Sequence, residues 1–145
     1  MAEMVPDGQG GIRYIQIPDP GAGLNFTYAQ PIRTRWWLKN ITAVFTAGAA
    51  AANREAALEI LQGGNRIMII RGGESIVAAE VWYLNWGGVL SAGLTAAGRI
   101  QTMNIPERTI LNDVVIVQSM IVNIQPADVI SDIFMIVEEW IEPLV

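Results

Sequence analysis

The chain has 145 residues, enough for one domain that buries roughly two-thirds of the surface exposed when it is unfolded. It contains no cysteine and no histidine, which excludes disulfides, thiolate nucleophiles, the usual zinc sites and imidazole acid–base catalysis together. Its net charge is −5 and its nine Lys and Arg are scattered singly, so there is no basic stripe and nucleic acid is not an expected partner.

The first eleven residues have neither a basic segment nor an apolar run, so no secretory signal is read there. Residues 1–23 are rich in proline and glycine around one strand-like stretch, Ile12 to Ile17, and read as an N-terminal arm; residues 24–145 read as the main domain. From Leu24 onward, turn signals recur between short runs of Val, Ile, Thr and aromatic residues. That is the pattern of an all-β, antiparallel two-sheet sandwich.

In residues 35–46, Trp36 and Leu38 alternate on one parity and Ile41, Ala43 and Phe45 on the other. A β-bulge near Lys39-Asn40 accounts for the slip. The alanine-rich stretch at 47–52 is open to a short helical turn near residues 48–54, because alanine is the best helix former. No stripe at helical spacing follows it: Ala56, Leu58 and Ile60 fit one strand face, with Glu55, Ala57 and Glu59 on the other. No apolar run reaches the eighteen or so residues of a membrane helix, so a soluble chain without a membrane partner is expected.

Gln62-Gly63-Gly64-Asn65 is the strongest hairpin signal, since paired glycines accept positive φ, and it joins residues 56–61 to 66–71. Further turns are read at 71–74, at Trp86-Gly87-Gly88 and at 123–128. In 81–86, Trp82, Leu84 and Trp86 share a face, either as core or as an exposed hot spot or sugar-stacking platform. Residues 93–103 are poorer in hydrophobics, which leaves room for exposed rings on that side. Residues 114–124 are apolar on both parities, as in a central strand, and residues 130–141 form a long strand with Ile133, Met135 and Val137 opposite Phe134, Ile136 and Glu138.

Candidate chemistry is sparse. Glu138 and Glu139 point to opposite faces of a strand, so they do not flank one bond. Asp128, Asp132 and Asp113 could together hold calcium or magnesium, or could simply solvate strand ends; no metal or other cofactor is assigned. The glycines do not form a phosphate loop, and Ser75, Ser91, Ser119 and Ser131 have no motif around them, Lys39 being the chain's single lysine. No catalytic residue is assigned and the chain is read as a non-enzyme. Its 52% hydrophobic and 16% charged content is more apolar than a small monomer needs, which points to coverage by partner chains.

The order of Arg35-Trp36-Trp37-Leu38, the strand 41–47, a small-residue loop closing on Asn53-Arg54, Ala57-Leu58-Glu59-Ile60 before a glycine turn, Ile105-Pro106, and the ending 128–140 resembles small β-sandwich virion proteins of tailed bacteriophages. The resemblance spans about residues 12–142 and rests on ordered short patterns. The chain departs from it at 106–113, which has no glycine where a glycine turn belongs.

The resemblance implies a jelly-roll-like fold and a homotrimeric capsid cement or decoration subunit. Such a subunit sits on the capsid surface of the virion, assembles in the host cytoplasm, and has the major capsid protein or other virion proteins as partners. It also implies that Trp36, Asn53 and Arg54 are scaffold residues, with Arg54 either paired to a carboxylate or a solvated loop charge. On that reading the contact residues are Ile12, Tyr14, Ile15, Trp82 and Trp86. The alternatives are a head-fibre or tail component, a carbohydrate-binding sandwich using exposed tryptophans and, more remotely, a small jelly-roll hydrolase or lyase.

Overall fold

The computed structural model describes residues 10–87, 94–95, 98–106, 108–112 and 114–141, the side chains of 94, 95 and 98 excepted. Within them the chain forms strands only: β1 (Gly11–Ile17), β2 (Thr27–Ala29), β3 (Thr34–Thr46), β4 (Ala57–Gln62), β5 (Asn65–Arg71), β6 (Val81–Gly87), β7 (Leu94–Thr95), β8 (Gly98–Asn104), β9 (Ile110–Leu111), β10 (Val115–Ser119) and β11 (Val129–Ile141).

The larger sheet runs β1-β11-β3-β6-β8-β7, with β9 beside the start of β3, and the smaller runs β2-β10-β4-β5. The eight strands β1-β11-β3-β6 and β2-β10-β4-β5 have the interleaved order of a jelly roll. One pairing departs from the antiparallel expectation: β8 lies parallel to β6, from Trp82 opposite Arg99 to Gly87 opposite Asn104. A parallel neighbour needs a crossover rather than a hairpin.

Alternation builds the core between the sheets. Ile15, Ile17, Leu38, Ile41, Phe45, Trp82, Leu84, Trp86, Ile133, Met135 and Val137 point inward from the larger sheet, against Leu58, Ile60, Val115 and Val117 from the smaller. Tyr28 and Trp36 join the layers, their rings stacked at 5.9 Å and 22°. Between Asn40, opposite Ile136, and Leu38, opposite Val137, Lys39 is the extra residue. The strand therefore bulges where the sequence changes parity.

A second register shift, between Ser131 and Phe134, holds Asp132 at φ 49°. The β4–β5 hairpin turns through Gly63 and Gly64 at φ 56° and 80°, positive at both central positions as a type I′ turn requires.

Three expectations change. Residues 48–54 form no helical turn; they bend, and Arg54 bonds their carbonyls instead. The central strand read over 114–124 stops at Ser119, where Ser119 Oγ and the Ile121 amide both turn to Asn25. The segment read as an arm contributes β1, paired with β11 from Gly11 opposite Glu139 to Ile17 opposite Ile133, so residues 11–17 belong to the sandwich. The turn at Trp86-Gly87-Gly88 lies partly outside the described residues.

Candidate functional site

The charged residues near the loops come together, but as structure. Arg54 and Asp128 are both fully buried. Arg54 donates from Nε to Asp128 Oδ2 at 2.8 Å and from Nη2 to Oδ1 at 2.9 Å, and it also donates from Nη1 to the Ala52 carbonyl and from Nη2 to the Ala50 carbonyl. Asp128 also accepts from the amides of Gly48 and Gln125. Gly48 is required there, because a Cβ would stand 2.9 Å from the Ala127 Cβ.

Burial pushes the Asp128 pKa up, but the Arg54 guanidinium and then the Gln125 and Gly48 amides outweigh it and hold the carboxylate below its usual range. This pair ties the β3–β4 loop to the β10–β11 loop and leaves Asp128 no oxygen for a metal. Asp132 lies elsewhere, on a shallow depression lined by Gln16, Ile17, Pro18 and Asp19. Asp113 is outside the described residues, among which no cluster of three metal-ligating groups occurs.

Other carboxylates are held ionised in the same way. Burial raises Glu59, but Gln118 and Arg66 more than reverse it. A hydrogen bond from Trp82 Nε1 is the main cause that lowers Glu80, and Arg71 lowers Glu55.

The two sheets differ on their outer faces. On the smaller sheet, Glu59 is the centre of a polar network, accepting from Arg66 Nε and Gln118 Nε2, each at 2.6 Å. On the larger sheet, residues opposite one another form rows: Tyr14–Ile136–Asn40–Gly87, then Gln16–Phe134–Thr42–Asn85, then Val44–Tyr83–Ile100, then Thr46–Val81. None of these side chains is a carboxylate, lysine or arginine. Tyr14 is 76% exposed, Tyr83 47%, Phe134 45% and Val81 42%. Charge enters at two places: Lys39 pairs with Glu138 at 3.1 Å and lies 3.0 Å over the Trp37 ring beside the rows, and Asp132 is exposed in the β11 bulge between the second and third rows, in a depression that it shares with Gln16.

Of the residues read as partner contacts, Ile12 and Tyr14 are exposed on this face. Ile15, Trp82 and Trp86 are corrected: they are 6%, 3% and 0% exposed because their parity faces the opposing sheet, where burial stabilises most. The solvent-facing parity carries Val81 and Tyr83 in β6 and Phe134 and Ile136 in β11. Alternation separates the two parities, and the position of the second sheet decides which of them is exposed.

The chain matches no protein-family model, no curated protein and no solved structure.

Proposed function

We propose that the chain is a structural virion protein, a capsid decoration subunit that docks on the major-capsid lattice through the outer face of the β1-β11-β3-β6 sheet. The observation that carries this reading is that face: Tyr14, Tyr83, Phe134 and Val81 stand exposed on it among uncharged polar residues, with Asp132 the one formal charge between its four rows, on a chain of net charge −5. Strands about 4.8 Å apart and about seven residues long give the four-stranded face roughly 400–500 Å², somewhat over half the ~800 Å² per partner of a standard interface, so several copies acting together carry the attachment.

The jelly-roll strand order and the resemblance to phage virion proteins favour a capsid partner. A structural role is favoured over a catalytic one because Glu55, Glu59, Glu80 and Asp128 are each engaged by side-chain donors of the fold itself, Arg71, Arg66 with Gln118, Trp82 and Arg54 respectively. The carbohydrate reading loses its ground: Trp36, Trp82 and Trp86 are buried, and the Trp37 ring lies under Lys39.

The test is electron microscopy of the particle with which the protein copurifies, comparing wild type with Tyr83→Glu and Phe134→Glu. Both variants should fold and lose most of their occupancy on the particle. Full occupancy by both removes this face from the interface, and a protein that copurifies with no particle removes the virion assignment.

A further inference from the structure

The edges of the two sheets are not equivalent. β2 and β7 are three and two residues long, too short to template another strand. β5 is longer, but its ladder with β4 is interrupted by a register shift and Arg66 and Arg71 stand near its ends. β1 has none of these defences: its seven residues pair with β11 in one unbroken register, and no described strand lies beyond it. Its outward-facing side chains, Ile12, Tyr14 and Gln16, are uncharged. Its one charge, Arg13, is held back on the other face by Glu139 at 3.0 Å. A regular uncharged edge of this length is a pairing surface, since its outer row of backbone N–H and C=O groups has no partner in the sheet.

We propose that this edge pairs with β1 of a second copy of the chain, antiparallel about a two-fold axis at Tyr14. The sequence Gly11-Ile12-Arg13-Tyr14-Ile15-Gln16-Ile17 is self-complementary in that register. Tyr14 meets the second Tyr14, Ile12 meets Gln16, and Arg13 meets Ile15, so the two arginines never face each other. Directly opposed aromatic residues are a favourable cross-strand pair and opposed like charges an unfavourable one. Placed there, the Tyr14 rings cover each other, which gives the most exposed large apolar side chain of the described residues a partner.

Two-fold pairing uses up both edges and closes at two copies, whereas strand addition by a different segment leaves an edge for the next chain. It also sets the two outer faces side by side in one continuous sheet, so that a dimer meets a repeating lattice with two sites at once. The pairing itself needs no capsid, so its failure and that of the docking reading are separable.

Sedimentation equilibrium of the full chain, from low-micromolar to several hundred micromolar, should report the mass of two chains. Tyr14→Glu sets two carboxylates opposite each other and should raise the dimer dissociation constant at least about tenfold. Tyr14 is a surface residue, so tryptophan emission should be unchanged. Ile67→Glu, on the β5 edge of the other sheet, should leave the mass unchanged. Amide exchange across residues 11–17 should be slower in wild type than in Tyr14→Glu. A one-chain or three-chain mass for wild type overturns the proposal. So does a dimer that survives Tyr14→Glu with β1 exchange unaltered, or one that Ile67→Glu dissociates while Tyr14→Glu does not.

Discussion

Arg54 and Asp128 lie 74 positions apart and form a two-pronged ion pair from which water is excluded, each side chain making four hydrogen bonds. Removing one partner strands the other charge in the interior. Arg54→Ala or Asp128→Ala should therefore cost about 3–5 kcal/mol in urea unfolding. Arg54→Lys should cost nearly as much, since an ammonium replaces the fork with a single point of contact. The double variant Arg54→Met/Asp128→Leu should recover only part of the loss: it removes both charges but also the partners of the Ala50 and Ala52 carbonyls and of the Gly48 and Gln125 amides. Single variants within about 1 kcal/mol of wild type exclude this role for the pair.

The same pair makes the fold acid-sensitive. The folded-state pKa of Asp128 is lowered: burial opposes this, and the Arg54 and backbone N–H bonds outweigh the burial. A carboxyl lowered on folding contributes stability that is fully present above its unfolded pKa, about 3.9, and is lost as pH falls through the folded value. Glu59 and Glu80 are lowered too and act in the same direction, from an unfolded value of about 4.3. The melting temperature should be flat above about pH 5 and fall below about pH 4. Asp128→Asn should be less stable at neutral pH, with its deficit shrinking as acid is added. A deficit that stays constant down to pH ~2.5 assigns the acid loss to other groups.

Alternation made much of this fold legible. Ala56, Leu58 and Ile60 on one parity, the change of parity at Lys39, and the paired glycines at 63 and 64 each correspond to a feature of the sheets, because strand period and turn chemistry are local. What stayed hidden depended on distant partners. The alanines at 47–52 have helical propensity, but Arg54 takes two of their carbonyls and Asp128 takes the Gly48 amide, so tertiary bonds replace the helix. Alternation divided Trp82 from Tyr83 without saying which faces the core. Residue size suggested that tryptophans make contacts, and the second sheet covers them instead. The parallel β6–β8 pairing has no local signature at all.

Gln101 faces inward from β8, opposite Leu84, at 4% exposure, and neither Oε1 nor Nε2 has a partner. An unsatisfied buried amide costs about 1–3 kcal/mol, and a thioether of similar length does not. Gln101→Met should therefore raise the melting temperature by about 3 °C or more, read by calorimetry. A fall instead indicates an internal water that satisfies the amide and is lost with it.

Two turn residues test the backbone with opposite signs. Val114 sits at φ 65° with 60% of its surface exposed, so it gains little from burial while its branched Cβ crowds the left-handed conformation. Val114→Asn or Val114→Gly should therefore stabilise by about 0.5–1.5 kcal/mol. Gly63, at φ 56°, has open space where a Cβ would stand, so strain alone decides its substitutions. Gly63→Asn should be close to neutral, since asparagine accepts this region and is favoured in type I′ turns, whereas Gly63→Val should destabilise by about 1–2 kcal/mol. Equal effects of Asn and Val at 63 mean that the hairpin does not need positive φ there. A loss at Val114→Asn means that the valine side chain is covered in the assembled protein, so the two measurements together separate backbone strain from an unseen contact.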